Sequence, residues 1–145
     1  MKIKTKKMSY KIISKYIKNI EFNIPNPKTF YLLSKEISNY KINININSNQ
    51  IEKNIIEVET TLNLIPIKEN FEKIKTNITY STIIEIKEEI NKEDIEKIIL
   101  IEVPNKFYSE IRNIFIYLFE NSGFKDIKIS DKVDFKKLYE LRKVQ

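Results

Sequence analysis

The run YKINININS, Tyr40 to Ser48, constrains this chain more than any other stretch. Tyr40, Ile42, Ile44 and Ile46 alternate with Lys41, Asn43, Asn45 and Asn47. A period of two gathers the four apolar side chains on one face of a strand; no helix can do so. One face needs burial and the other needs water, the pattern of an antiparallel sheet covered on one side. The alternation recurs. EVETTLNLIPI sets Val58, Thr60, Leu62 and Leu64 against Glu57, Glu59, Thr61 and Asn63. FEKIKTNITYSTIIEI carries Ile74, Thr76, Ile78, Tyr80, Thr82, Ile84 and Ile86 on one side. Lys11 to Ile24 reads as a first strand, with Ile12, Tyr16, Ile20, Phe22 and Ile24 sharing a face. Its first half also fits helical spacing through Ile12, Ile13, Tyr16, Ile17 and Ile20.

After Ile86 the period changes. Asn91 caps a short helix whose first turn holds Glu93 and Asp94, favourable at the positive end of the helix dipole. Pro104 is expected to break it. A longer helix follows, roughly Lys106 to Asn121, with Phe107, Ile111, Ile114, Phe115, Leu118 and Phe119 at helical spacing. Gly123 sits where a left-handed C-terminal residue belongs. FKDIKI reads as a short extended piece. Asp134 then caps a last helix whose stripe is Phe135, Leu138, Tyr139 and Leu141. Strands first and helices afterwards predict an α+β fold: a four-stranded antiparallel sheet with the C-terminal helices packed on one face. The link between the first two strands, about 15 residues, is too long for a tight hairpin and predicts a Greek-key crossover. Pro25 and Pro27 open that link. Phe30, Tyr31, Leu32 and Leu33 follow as four large apolar residues, which fit either a core or a binding surface.

Composition closes off whole classes of chemistry. The 145 residues suit one domain, here 9–145 behind a basic extension 1–8 that is expected to be flexible. Met8 is an alternative start. There is no Cys and no His, which excludes disulfides, thiol nucleophiles, His bases and His or Cys zinc sites. One glycine leaves no phosphate-cradling loop. Glu57 and Glu59 read as a solvated strand face, and EEINKED as a helix entry. No convergent polar constellation suggests an enzyme, and no cofactor or metal is expected. No apolar run approaches the roughly 18 residues of a membrane helix, and MKIKTKKMSY lacks the apolar core of a secretory signal. The expected location is the cytoplasm. The net charge of +6, with Lys and Tyr interleaved in KIISKYIKN, keeps a small basic nucleic-acid-binding domain as the alternative. Lys and Glu are mixed along most of the chain, which argues against it. The long helix is apolar over much of its circumference, so oligomerisation is expected.

Taken in order, the features resemble a known family. A strand ends in Phe22, Pro25 and Asn26; a crossover and three strands follow. Pro104 and Asn105 precede a long helix carrying Arg112, then come Gly123 with Phe124, and Asp134 with Phe135. This order and spacing, from about Tyr10 to Leu141, resembles SecB, the bacterial protein-export chaperones. The resemblance implies an ATP-independent holdase that keeps precursor proteins unfolded for the Sec pathway and passes them to the motor SecA. It implies a homotetramer built as a dimer of dimers. A SecB-fold chaperone serving a different partner is the variant reading.

The resemblance also assigns residues. A client groove is expected from Phe22, Phe30, Tyr31, Leu32, Tyr40, Ile42, Phe135, Leu138 and Tyr139. Phe107, Ile111, Ile114, Phe115 and Leu118 are expected to serve packing and subunit association. The acidic positions through which the family meets SecA match Asn19, Asn23 and Asn77. The chain reads as stopping at LRKVQ, without the family's acidic tail. Asparagine in place of carboxylate removes charge-assisted pairs and steering, so SecA contact is expected to be weakened.

Overall fold

The computed structural model describes residues 9–37, 40–67, 74–87, 89–125 and 127–144. The reading of residues 1–8 as a flexible extension lies outside them. Strand β1 (Tyr10–Asn23) is followed by helix α1 (Pro27–Glu36) and strands β2 (Tyr40–Glu52), β3 (Ile55–Pro66) and β4 (Lys75–Ile86). Helix α2 (Lys92–Lys97), a π-helical stretch (Ile98–Glu102), helix α3 (Val103–Asn121) and helix α4 (Phe135–Val144) complete the chain. The sheet is fully antiparallel in the order β1-β4-β3-β2. The β1–β2 link therefore crosses the whole sheet, as a Greek key requires.

The alternation works as the sequence predicts in the inner strands. Val58, Leu62 and Leu64 on β3 and Ile78, Tyr80, Ile84 and Ile86 on β4 are buried on one face. Helix α3 lies across β3 and β4 and meets that face with Phe107, Ile111, Phe115 and Phe119, a row spaced four apart. Each large side chain removed from water there contributes about 1.5–3 kcal/mol.

Four local readings need correction. The crossover is not only a loop: Asn26 accepts from the Thr29 amide at 2.8 Å, Pro27 takes the first turn, and α1 runs on to Glu36. Strand β1 does not keep one phase, because irregularities between Ile12 and Ser14 and between Ile17 and Asn19 shift its register. Ile12 and Phe22 pair with Ile84 and Thr76 on the helix side, whereas Tyr16 pairs with Ser81 and turns to the open face. Pro104 does not break the helix. The chain stays helical from Lys92 to Asn121, the Val103 amide reaching the Ile98 carbonyl across a widened π turn. Pro104 thus falls in the first turn of α3, where a missing N–H costs least. Residues 127–134 form irregular backbone and no strand.

Candidate functional site

The helix-side row of β2 is only half covered. Tyr40, Ile42, Ile44 and Ile46 are all partly accessible, because α3 lies over the two inner strands and leaves this edge strand's row short of a roof. Two adjoining clefts result. The larger, about 640 Å³, runs along Tyr40, Ile42 and Ile44 on its floor, with Leu64 and Tyr108 behind and Ile127, Ile129 and Val133 opposite. The second, about 370 Å³, continues past Ile46 to Ile99, Leu100, Tyr139 and Arg142. A smaller space lined by Ile44, Ile46, Leu138 and Tyr139 joins them. Together they form a trough along one edge of the sheet, predominantly apolar in the larger cleft and mixed in the second, where Asn47, Ser48, Glu96 and Arg142 join the apolar lining. Such a trough recognises apolar side chains by burial and asks little of their sequence.

Of the groove residues named from sequence, Tyr40 and Ile42 line the larger cleft, and Leu138 and Tyr139 the smaller spaces. Phe135 is buried and packs edge-on against Tyr108, with ring centres 6.0 Å apart. Phe22 and Phe30 belong to an aromatic cluster: Phe22–Phe119 at 4.9 Å, Phe30–Phe124 at 4.8 Å and Phe119–Phe124 at 5.4 Å. That cluster ties β1 and α1 to the end of α3. Tyr31 and Leu32 face water, 57% and 41% exposed, Tyr31 across α1 from buried Leu33 and Leu32 at the flank of the buried stripe. The apolar quartet after the prolines is therefore divided: Phe30 and Leu33 inward, Tyr31 and Leu32 outward. Ile44, Ile46, Leu64, Leu100, Tyr108, residues 127–130 and Val133 also line the trough and were not among the groove residues named from sequence. Ile44 and Ile46 share the period of Tyr40 and Ile42 and were the findable ones.

The open face of the sheet carries many polar side chains. Asn19, Asn23 and Asn77 sit together on it: Asn77 pairs with Glu21, which lies between Asn19 and Asn23 on β1. Asn43 donates to Asn63 at 3.0 Å in the same cross-strand row. The Glu57 carboxylate departs from the solvated face expected of it: the residue is 7% exposed. It accepts from Tyr16 Oη at 2.6 Å, Ser81 Oγ at 2.7 Å, Lys18 Nζ at 3.1 Å and Asn49 Nδ2 at 3.3 Å. Those bonds, Tyr16's foremost and Ser81's next, hold its carboxyl down at about 2. Lys18 also binds Glu59, and its ammonium is held up by Glu59 and Glu57.

On α3, Phe107, Ile111 and Phe115 are consumed by the chain's own core, while Ile114 and Leu118 remain partly accessible and Tyr117 exposed. Ile13, Ile17 and Ile20 on the edge strand β1 are exposed as well. Lys15 binds Glu110 at 2.8 Å, and Tyr80 Oη donates to the same carboxylate at 2.8 Å. Among the described residues, no helix is long and apolar enough to cross a membrane, and no cluster of His, Cys, Asp or Glu is placed to hold a metal.

The family model described as preprotein translocase subunit SecB matches residues 4–145. A candidate protein-export protein SecB of Pelagibacter ubique is 40% identical over 135 residues, covering 92% of this chain and 96% of its own. The protein-export protein SecB of Anaplasma phagocytophilum is 24% identical over 143 residues, 90% of each. Among solved structures, a SecB-like chaperone of Mycobacterium tuberculosis, in complex with a ChAD peptide from an antitoxin, superposes with a TM-score of 0.61. That match covers 86% of this chain and 88% of the other at 9% identity, a likeness of fold.

Proposed function

The chain belongs to the SecB family, and from that premise we propose that the β2 trough is where it holds its clients, unfolded precursor segments. Its role is that of a chaperone in protein export. The observation that supports the trough is the half-roofed apolar row Tyr40, Ile42, Ile44 and Ile46, continuous across adjoining clefts. Folding hides such surface on clients; an unfolded chain presents it. Each covered apolar side chain contributes by leaving water, on the order of 25 cal/mol per Å². Several weak contacts along one client then reinforce one another through effective concentration. Holding of this kind needs neither ATP nor a catalytic group, and we assign none.

The working assembly on this reading is a cytoplasmic homotetramer, a dimer of dimers. Ile13, Ile17, Ile20, Ile114, Tyr117 and Leu118 supply apolar surface for it. SecA contact through the open sheet face is weakened, since Asn19, Asn23 and Asn77 offer amides where carboxylates would pair with a basic partner. The test is aggregation of a slow-folding precursor diluted from denaturant, without nucleotide. Substoichiometric tetramer is expected to suppress light scattering; no suppression at any ratio would overturn the reading. Tyr40→Ser with Ile42→Ser is expected to lose suppression while secondary structure is retained.

A further inference from the structure

The wall of the larger cleft opposite β2 is a strap of irregular backbone, residues 127–133. Among the described residues, no backbone–backbone hydrogen bond involves Ile127 to Lys132. A segment without a ladder takes its position from side chains. Here they come from α3. Arg112 places Nε at 3.1 Å and Nη2 at 3.0 Å from the Ile129 carbonyl. Tyr108 Oη donates to the next carbonyl, Ser130, at 2.7 Å. Arg112 Nη2 also pairs with Asp131 at 2.9 Å. Tyr108 and Arg112 lie one helical turn apart, so one face of α3 grips consecutive peptide units. The Tyr108 ring is buried behind the cleft, and Ile129 is turned inward and buried.

We propose that Tyr108 and Arg112 are positioning residues for client binding, clasping the Ser130 and Ile129 carbonyls so that the strap stands as the second wall of the β2 cleft. The inference rests on the β2 trough being the client site. Arginine suits this task because its planar fork delivers two donors to one oxygen in fixed geometry, which lysine cannot do. Released from the clasp, the strap leaves Ile42 and Ile44 with one wall, and a bound apolar side chain loses contact on that side.

The test uses the purified full-length protein and a fluorescently labelled polypeptide kept unfolded by reduction and S-alkylation. Its dissociation rate is measured alongside amide exchange of residues 127–132 by mass spectrometry. Tyr108→Phe and Arg112→Gln are expected to speed dissociation about five-fold or more, the scale of one lost hydrogen bond. Strap amides should exchange faster while sheet amides do not. Arg112→Lys keeps the charge and one donor and should restore part of both effects. Should Arg112→Gln fail to fold, Asp131→Ala, at a largely exposed carboxylate, is expected to move both readouts the same way by less. Faster strap exchange with unchanged dissociation overturns the proposal, as does strap exchange that no variant alters. If wild-type protein fails to bind the polypeptide, the client-site reading itself falls. If wild type and variants bind alike, only the clasp does.

Discussion

At the scale of single residues, Glu57 is, with Glu110, a carboxylate through which the sheet feels acid. Its carboxyl titrates near 2 in the folded chain against an ordinary value of 4.5. A depressed folded value means the carboxylate stabilises the fold at all pH above 4.5, and that contribution drains away as pH falls toward 2. Glu57→Gln, which keeps the shape, is expected to cost about 1–3 kcal/mol in urea unfolding at neutral pH. Its stability should then fall less steeply than wild type's through that acid range. Equal acid slopes in the two proteins would contradict the assignment. Gly123 is the second such residue. It holds φ near 95°, and an added Cβ would stand 3.2 Å from Phe30 Cζ. Gly123→Ala is expected to lose about 1–3 kcal/mol, read from the shift in the urea midpoint. Gly123 was legible from sequence, because one glycine after a periodic apolar run has few other uses. Glu57 was not: alternation assigns it a face but says nothing of the Tyr16, Ser81 and Lys18 that converge there from other strands.

At the scale of elements, legibility follows periodicity. The strands β2, β3 and β4 were readable because one phase runs through each. Strand β1 was misread at Tyr16 because its two register shifts reverse the phase without any local mark in the sequence. Helix α1 was missed because Pro25 and Pro27 announce a turn, and a ten-residue helix after them shows too few repeats to override that. Its amphipathic division now yields a contrast. Tyr31→Ser and Leu32→Ser lie on the water side and should change stability by no more than about 0.5 kcal/mol. Phe135→Ala empties a buried site against Tyr108 and should cost about 3–5 kcal/mol. Thermal or urea unfolding of the three variants checks this. If Tyr31→Ser unfolds the chain, α1 carries more of the core than its exposure indicates. If it weakens client capture while leaving stability alone, the groove extends onto α1 as the resemblance implies.

At the scale of the whole molecule, the issue is what covers the far edge of the sheet. Strand β1 ends the sheet opposite β2 and is 14 residues long, with Ile13, Ile17 and Ile20 accessible. A long apolar edge left bare invites uncontrolled pairing, and proteins normally blunt or cover one. The Lys15–Glu110 and Phe22–Phe119 contacts tie β1 to α3 at two points. Between them lie Ile17 and Ile20 on the strand and Ile114 and Leu118 on the helix, a patch built from two elements rather than scattered residues. On the tetramer reading, this patch is covered by another copy. Light scattering should then give four chain masses, and the thermal midpoint should rise with protein concentration, because association stabilises by mass action. Ile17→Lys combined with Leu118→Lys places two cations in that patch and should yield smaller species whose circular dichroism still matches wild type. A wild-type monomer at micromolar concentration would remove the tetramer. It would leave the β2 trough standing, since the single chain already forms both clefts. Client affinity in such a monomer would nevertheless be low, because one trough offers few contacts, and reinforcement along a client needs several troughs held at fixed spacing. On the tetramer reading, assembly is what would turn a shallow edge into a useful holding surface, and dissociating variants should lose capture of long unfolded chains far more than capture of short apolar peptides.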